Sequence, residues 1–451
     1  MIAKYMTKVH FIPDSEKTLF GHPAGLFVLF FTELWERFSY YGMRALFTIF
    51  LVAETTDQNK GFGWTNGEAL WLYGWYTMLV YLACIPGGWI ADNFLGQKKT
   101  VMLGGLMLCL GHGILAFDSE ISFYTGCAFI ILGVGGLKPN ISTMVGGLYP
   151  KGDKRRDLGF YIFYMGINIG AFFAPLLCGW VGEKYNWHYG FGLAAVGMII
   201  GQFIYYFGQP YLDKVGNIKK ISADQKKELK KQKLTQIEKD RVKVLLISFL
   251  MIIVFWGAFE QAGGLMNLYA KQKTNRFLMG WEVPASWFQS LNAFFIITLA
   301  VIIGRIWMRL KIKGNPASSI FKIAVGILIM GFGFLFMRFA ASEHELFGYS
   351  SMHWLVLAYL FHTIGELCAS PVSLSFITKL APDKYAALMM GLFFAASGMG
   401  NMLAARIGVN AEAVGEKVTF TGIFIFCSLF ALLIMAILKP INRLIHKAEN
   451  T

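Results

Sequence analysis

Long apolar segments separated by short polar loops dominate the sequence. A helix needs about 20 predominantly apolar residues to cross a hydrocarbon core about 30 Å thick. Twelve segments meet this requirement, near residues 24–54, 66–92, 97–117, 122–147, 158–182, 188–208, 243–270, 284–309, 318–340, 352–377, 386–409 and 418–438. The pattern therefore predicts an all-α membrane protein with twelve transmembrane helices.

A charged segment divides these helices into two sets of six. It spans residues 209–242 and contains the run KKISADQKKELKKQKLTQIEKDR. We expect an N-terminal six-helix bundle over residues 1–208, a charged cytoplasmic linker over 209–242, and a C-terminal six-helix bundle over 243–451. Transporters built from two parallel repeats place their substrate site between the halves, near the bilayer midplane.

The distribution of charge indicates an orientation in the membrane. Hydrophobic residues make up 56% of the 451 residues, charged residues 15%, and the formal net charge is +14. Basic side chains gather in alternate loops, a pattern typical of cytoplasmic loops, and the residues concerned are Lys98, Lys99, Lys151, Lys154, Arg155, Arg156, Arg309, Lys311, Lys313, Lys379 and Lys384. We expect a multi-pass protein of the plasma membrane, the bacterial inner membrane, with both termini in the cytoplasm.

Nucleic-acid binding and metal binding are both disfavoured by the sequence. The basic stretches lack interleaved aromatic residues, which argues against nucleic-acid binding. All six cysteines lie in apolar segments without CxxC spacing, and the eight histidines form no ligand pair, so we expect neither a metal site nor a cofactor.

The first segment carries charges that the bilayer disfavours. An ionisable residue at the helix centre costs about 2.5–3.5 kcal/mol on insertion scales. At about 100° per residue, Glu33, Glu36, Arg37, Tyr40 and Arg44 lie on one stripe of a helix. This stripe must face protein or water. Either it is a self-neutralised cluster within the bundle, or it forms part of a functional site.

Three further charges lie in apolar segments: Lys138 in the fourth, Glu260 in the seventh and Glu366 in the tenth. In a parallel repeat, helix 1 corresponds to helix 7 and helix 4 to helix 10, so we predict the pairs Arg44–Glu260 and Lys138–Glu366. Such a pocket suits a dipolar solute with a carboxylate and an ammonium group. Alternatively these pairs are fixed bridges between the halves, and both interpretations can hold at different stages of a transport cycle.

Uncharged polar residues extend this candidate lining. Tyr161, Tyr164 and Asn168 share a face of the fifth segment, and Asn292 lies in the eighth. Ser370 and Ser373 follow Glu366 at helical spacing on the tenth segment. For each of these residues, hydrogen bonding between helices is the alternative role.

The segment ELWERFSYYGMR, residues 33–44, resembles the signature of the proton-dependent oligopeptide transporter family of the major facilitator superfamily. The ExxERFxYYG motif of that family is complete here. The segments GGWIADNFLGQKK, KPNIST, FYMGINIGAF, FEQAG, PASWFQSLN and GELCASPVSLS match further family motifs in order. The resemblance covers essentially the whole chain.

The resemblance implies a major facilitator fold and proton-coupled import of di- and tripeptides by alternating access. It implies that Arg37, Arg44 and Lys138 bind the peptide carboxylate, while Glu366, Asn168 and Asn292 bind the amino terminus. Tyr40, Tyr41 and Tyr81 would line the pocket, to which we add Glu260, Ser370 and Phe393. Glu33 and Glu36 would couple protons, together with Arg37 and Glu260.

The same resemblance leaves alternatives and departures. Related proteins carry nitrate or other small solutes, and a membrane-embedded enzyme using Glu33 and Glu36 is a further alternative. We expect a monomeric transporter and no enzyme. The 209–242 segment is too short and polar for the two extra helices common in bacterial members. Phe393 replaces a frequent Trp, Ala293 a frequent Pro, and Tyr76 a histidine found in animal members.

Overall fold

The computed structural model describes residues 17–150, 152–217, 234–313 and 317–446, and this part of the chain is mainly helical. The expectations for the two chain ends and for the middle of the 209–242 linker fall outside the described residues. Short hairpins and turns connect the helices. Because helices make up most of the described chain, most of the candidate site residues lie on helices.

The helices of the N-terminal part are α1 (Ala24–Val52), α2 (Asn66–Ile90), α3 (Gln97–Ile114), α4 (Glu120–Gly147), α5 (Arg155–Ala174), α6 (Trp180–Lys184) and α7 (Trp187–Phe207). Those of the C-terminal part are α8 (Gln236–Phe259), α9 (Leu265–Gln272), α10 (Ser290–Ile312), α11 (Ser319–Phe347), α12 (Met352–Leu380), α13 (Ala386–Val414), α14 (Glu416–Ala436) and α15 (Leu438–Leu444).

The strands are two residues each: β1 (Thr18–Leu19), β2 (His22–Pro23), β3 (Thr274–Asn275), β4 (Phe277–Leu278), β5 (Trp281–Glu282) and β6 (Ser350–Ser351). The pairs β1–β2 and β4–β5 are antiparallel, and β3–β6 is parallel. These ladders tie loops together at the helix ends and do not form a layer of the fold.

Each of the twelve apolar segments coincides with a helical run of the described chain. Ten of these runs are long and apolar enough to cross a membrane by length and composition, and α1 and α3 are not among the ten. α1 is nevertheless 29 residues long, and its charged stripe is buried by protein. α1 is thus less apolar than those ten helical runs because it carries the charged residues of the site.

Local sequence explains where several helices begin. α2 and α8 start with capping boxes, Thr65 with Glu68 and Thr235 with Glu238, in which each side chain bonds the other residue's backbone N–H. Ser318 caps α11 in a simpler way, by accepting a hydrogen bond from the backbone N–H of Phe321.

The helices pack mainly within two groups. α1 packs on α5 and α7, and α4 on α2 and α3, whereas α11 packs on α12 and α14. Contacts between the groups run chiefly through α2 with α13 and through α5 with α10. α1 lies among these helices with most of its residues buried, so its charged stripe faces the region between the groups.

The seventh predicted segment, 243–270, is interrupted and is not one continuous helix. α8 ends at Phe259, a 3₁₀ turn covers Glu260–Ala262, and α9 begins at Leu265. Gly263 and Gly264 follow the turn, and glycine adopts irregular backbone conformations at little steric cost. The interruption presents the Glu260 carboxylate at a helix break, as in discontinuous helices of transporters.

Glycines allow close contact between α2 and α4. A Cβ placed on Gly87 would lie 1.9 Å from the backbone oxygen of Gly135, whereas one placed on Gly88 would meet no atom within 4 Å. Small residues at such contacts let membrane helices approach closely, because helix association in lipid depends on packing.

We expect Gly87→Ala to destabilise the protein and the adjacent Gly88→Ala to have little effect. Overpacking typically costs about 1–3 kcal/mol, and here the obstacle is backbone and not a mobile side chain. The measurement is thermal unfolding of the purified variants in one detergent. Equal unfolding temperatures for the two variants would show that α2 and α4 do not approach as closely as described.

Candidate functional site

An ion pair joins the two groups of helices at the break between α8 and α9. Arg44 Nη2 donates to Glu260 Oε2 at 2.9 Å, and both side chains are buried. The Tyr73 hydroxyl accepts from Arg44 Nε at 2.7 Å and donates to the same Glu260 oxygen at 3.1 Å. Removing one partner of a buried pair typically costs about 3–5 kcal/mol, so this triad holds α1, α2 and the α8–α9 break together.

A second cluster lies two turns earlier on α1. Arg37 Nε is 3.0 Å from Glu33 Oε1, and Arg37 Nη2 donates to Glu36 Oε1 at 2.9 Å. All three side chains are almost fully buried. Glu33 Oε2 has no hydrogen-bond partner among the described residues. The cluster thus contains two carboxylates for one guanidinium, and Glu33 Oε2 is a buried oxygen that can still accept a proton.

Lys138 belongs electrostatically to this second cluster. Its ammonium Nζ lies 3.9 Å from the centre of the Tyr81 ring, within cation–π distance. Beyond ion-pair distance, its charge attracts Glu33 and Glu36, while Arg37 repels it. Four charges of the N-terminal helices therefore balance one another when all are ionised.

The predicted Lys138–Glu366 ion pair does not form between these described residues. The carboxylate of Glu366 accepts a hydrogen bond from Asn292 Nδ2 at 2.7 Å, and the same amide group donates to Thr363 Oγ1 at 3.1 Å. The ammonium of Lys138 contacts the Tyr81 ring of its own half instead, and correspondence between repeats could not identify this contact. Glu366 is left without a basic side chain at ion-pair distance among the described residues.

The site as a whole carries excess negative charge when fully ionised. Three cations face four carboxylates, and the four acids are Glu33, Glu36, Glu260 and Glu366. Because Arg44 neutralises Glu260 and the cluster around Arg37 balances internally, the excess resides on Glu366. A buried ionised carboxylate without a cation is costly, so Glu366 favours a proton or a cationic ligand.

The remaining predicted lining residues lie around these charges, and some of them contact the charged groups while others do not. The Tyr40 ring centre lies 5.5 Å from Arg37 Cζ, and the Tyr41 ring centre lies 5.6 Å from Arg44 Cζ. Asn168 donates to the Tyr164 backbone oxygen within α5, at 2.9 Å, and this bond directs its amide along its own helix. Ser370 and Phe393 are half-buried on α12 and α13.

The sequence did not single out three partners in these contacts: Tyr73, Thr363 and Glu183. Tyr73 lies three residues before Tyr76 in a segment rich in aromatics, so nothing distinguished it. Thr363 also bonds the backbone of α12, to the Tyr359 oxygen at 2.7 Å, as many membrane threonines do. Helical spacing to Glu366 was the signal that could have selected Thr363.

Glu183 forms a separate contact between the two groups of helices, near the end of the fifth helical run. Its carboxylate accepts from the backbone N–H and the hydroxyl of Ser286, at 2.8 and 2.7 Å, and from the Ala285 N–H at 3.2 Å. Lys271 Nζ lies 3.3 Å away, and the Glu183 side chain is 2% exposed. Glu183 thereby caps the 3₁₀ turn Ala285–Gln289 that leads into α10.

Further polar contacts between the groups cluster at this same end, which we call the closed end. They join Asn66 with Gln272, Gly67 with Glu412 and Lys184 with Glu282. Asn267 also donates to the Ala45 backbone oxygen at 3.1 Å. Together with the Arg44–Glu260 pair, these contacts cover the charged site from the side where α1 ends and α2 begins.

The protein is a multi-pass helical membrane protein with charged groups gathered between two groups of helices, an arrangement found in transporters, and comparison with known proteins identifies the family. The family model described as the POT family matches residues 98–230 and 217–414. The chain belongs to this family, which confirms the resemblance noted in the sequence. Family members of similar sequence are transporters and not enzymes.

Three similar proteins illustrate the relationship. The peptide transporter YePEPT of Yersinia enterocolitica subsp. palearctica serotype O:3 (strain YE-P4) is 36% identical, over 96% of this chain and 97% of that protein. A di-/tripeptide transporter of Lactococcus lactis subsp. cremoris is 35% identical, over 95% and 98%. The crystal structure of a peptide transporter POT in complex with sulfate has a TM-score of 0.88 and 35% identity, over 96% and 97%. The predicted all-α major facilitator fold is thereby confirmed.

We expect Tyr73→Phe to destabilise the protein more than Tyr76→Phe. The Tyr73 hydroxyl bridges two charged groups, whereas the buried Tyr76 hydroxyl has no hydrogen-bond partner among the described residues. Hydrogen bonds to charged groups contribute about 1.5–3 kcal/mol. Thermal unfolding of both purified variants measures the difference, and a loss for Tyr76→Phe equal to that for Tyr73→Phe would contradict the bridging role.

Proposed function

We propose that this protein imports di- and tripeptides together with protons, by alternating access between its two bundles. The observation that carries the proposal is the separation of charge across the site. The cations Arg37, Arg44 and Lys138 project from α1 and α4, whereas Glu366, which has no cation at ion-pair distance among the described residues, projects from α12. Relatives with 35–36% identity are named as peptide and di-/tripeptide transporters.

A free peptide complements this arrangement at both ends. Its ammonium group supplies the cation that Glu366 lacks, with the Asn292 amide as a neighbour that already orients the carboxylate. Its carboxylate binds the cations of the N-terminal half, where charge-assisted hydrogen bonds from Arg and Lys are strong. The aromatic rings of Tyr40, Tyr41 and Tyr81 form the wall between these two ends.

Proton coupling follows from the balance of charge in the cluster around Arg37. A peptide carboxylate that engages Arg37 or Lys138 competes with Glu33 and Glu36 for the same cations. An acid that loses its cation in a buried site becomes costly in its ionised form, and binding a proton removes that cost. Glu33 Oε2, which lacks a hydrogen-bond partner among the described residues, is positioned to receive this proton.

Alternating access requires the two bundles, residues 1–208 and 243–451, to separate at the closed end. We assign the closed end to the outside of the plasma membrane, with both termini and the basic loops in the cytoplasm. The structure then represents a state shut toward the outside. Breaking the Arg44–Glu260 pair and the Glu183 cap is the event that admits substrate, and a monomer contains all the parts required.

A second candidate is transport of a small anion such as nitrate. Its support is the set of three cations and a related peptide transporter crystallised with sulfate. An anion alone leaves Glu366 uncompensated, so the candidate explains only half of the site. The two proposals differ in whether a free amino group on the solute is required.

We expect blocking the peptide amino group to weaken binding and Glu366→Gln to erase the difference between free and blocked peptides. Losing one partner of a buried charge pair costs about 2–5 kcal/mol, which corresponds to at least about 30-fold in affinity. The measurement is competition of dialanine and N-acetyl-dialanine against labelled dialanine in proteoliposomes.

The control for this experiment is Glu345→Gln, since Glu345 pairs with Lys417 within the C-terminal helices and is largely exposed. It should keep the wild-type preference. Equal competition by free and blocked peptides in the wild type would reject the peptide orientation proposed here, and uptake of nitrate in place of dialanine would favour the anion candidate.

We expect Glu33→Gln and Glu36→Gln to abolish uptake driven by a pH gradient while peptide counterflow survives. A carboxamide keeps the shape of the acid but cannot bind and release the coupled proton, and counterflow requires no net proton movement. The measurement is the ratio of driven uptake to counterflow in liposomes, normalised to folded protein, with Glu345→Gln as control. Full driven uptake by both variants would remove these acids from proton coupling.

A further inference from the structure

An arginine lies on the outer surface of the helix assembly, away from the substrate site. Arg406 on α13 is exposed, and its guanidinium carbon lies 4.6 Å from the ring centre of Trp71 on α2. Trp75, one turn further along α2, lies 6.0 Å from Trp71 in an edge-to-face arrangement, and both indoles are partly exposed. Arg406 and the two tryptophans form what we call the seam cluster.

The seam cluster covers a close contact between the two halves. Gly74 lies between the two tryptophans in sequence, and a Cβ placed there would be 2.2 Å from the Ala405 Cβ. Ala405 directly precedes Arg406. The cluster thus marks the line along which α2 and α13 meet at the outer surface of the helix assembly, with two tryptophans from the N-terminal half and one arginine from the C-terminal half.

The Arg406 guanidinium has no polar partner among the residues that the structure describes. No carboxylate there lies within ion-pair distance of it, and no acceptor bonds any of its N–H groups. The acid that follows it on α13, Glu412, is engaged by the Gly67 N–H at 2.8 Å. Trp71 satisfies the face of the guanidinium by cation–π contact, but the in-plane donors remain open.

The position of Arg406 along α13 indicates which ligand its open N–H donors can reach. It lies eight residues before the end of α13 at Val414, or about 12 Å along the axis. A 29-residue helix is about 43 Å long and exceeds a core of about 30 Å, so about 6 Å remain on each side. With the helix centred in the bilayer, Arg406 lies about 6 Å inside the hydrocarbon boundary, from where a long arginine side chain extends toward the lipid headgroups.

An apolar cavity of about 250 Å³ adjoins the same helix. On α13 it is lined by Leu403 and Ile407, which flank Arg406 in sequence, and α8 and α14 close it through Val254 and Ile423. At about 100° per residue, Arg406 lies between the cavity face and the α2 face of α13. A lipid with its headgroup at Arg406 can place an acyl chain in this cavity.

We propose that the seam cluster and this cavity bind one phospholipid of the leaflet at which α13 ends. The phosphate accepts bidentate hydrogen bonds from Arg406, whose planar fork matches phosphate oxygens, and one acyl chain fills the cavity. Trp71 stacks on the guanidinium, and tryptophan is enriched at the membrane–water interface. The lipid's own contacts then lie in the C-terminal half, beside the seam at which Trp71 of the N-terminal half stacks on Arg406.

The test is native mass spectrometry of the full-length protein in mild detergent, titrated with dioleoylphosphatidylglycerol. We expect one phospholipid to bind tightly to the wild type, Arg406→Gln to weaken that binding at least tenfold, and Arg406→Lys to give an intermediate value. Dioleoylglycerol, which lacks the phosphate, should bind at least tenfold more weakly than the phospholipid. The matched control is Arg305→Gln, which removes another exposed arginine, on α10, and should bind like the wild type.

Three outcomes would overturn the proposal: unchanged phospholipid binding by Arg406→Gln, equal binding of dioleoylglycerol, or displacement of the phospholipid by millimolar inorganic phosphate, which would indicate a simple anion site. Thermal unfolding verifies that each variant is folded. If Arg406→Gln fails to fold, Trp71→Ala decides the matter, since it retains the charge and removes the stacking contact. Wild-type phospholipid affinity in Trp71→Ala would then reject the seam cluster as the binding site.

Discussion

The cost of burying charge in a bilayer governs the centre of this protein. Arg44 and Glu260 are tolerable there because each compensates the other and Tyr73 bonds both. That compensation joins helices from both halves, so an electrostatic requirement also fixes how the bundles meet. The interruption between α8 and α9 follows the same requirement, since it delivers the Glu260 carboxylate to Arg44.

The charges of the site are compensated unevenly, and this unevenness allows Glu366 to bind a cationic group. The cluster around Arg37 contains both its acids and their cation, whereas Glu366 accepts a hydrogen bond from the Asn292 amide and has no basic side chain at ion-pair distance in the described part of the chain. A cavity with every charge neutralised would have little electrostatic affinity for a zwitterion. Here the missing cation is what the amino group of a peptide can supply.

Much of this arrangement could be predicted from the sequence, because bilayer thickness constrains helix length and charge placement strongly. The apolar segments located the helices, and helical periodicity placed Glu33, Glu36 and Arg37 on one face of α1. Correspondence between the repeats suggested two ion pairs; the structure contains Arg44–Glu260 but keeps Lys138 apart from Glu366. Sequence spacing identifies possible partners, but which cation an acid selects depends on all neighbours in three dimensions.

The residues that the sequence did not reveal share a physical reason. Tyr73 and Thr363 are ordinary helix residues whose importance lies only in what they face, and Glu183 looked like a surface acid at a helix end. The spacing of apolar and polar residues along one segment does not indicate which residues of distant segments it contacts. The helix break at Glu260 was missed because apolar composition continues through it, and composition alone does not register two consecutive glycines as an interruption.

The Glu183 cap has a mechanical consequence. The turn that it caps runs directly into α10, and Asn292 is the third residue of that helix. The Asn292 amide that orients Glu366 therefore lies on α10, and Glu183 of the other bundle bonds the turn at the start of this same helix. In the proposed transport cycle, release of the Glu183 contact allows α10 to move, and movement of α10 changes the hydrogen bonding of Glu366. The Glu183 contact at the closed end and the amide that orients Glu366 are thus linked through α10.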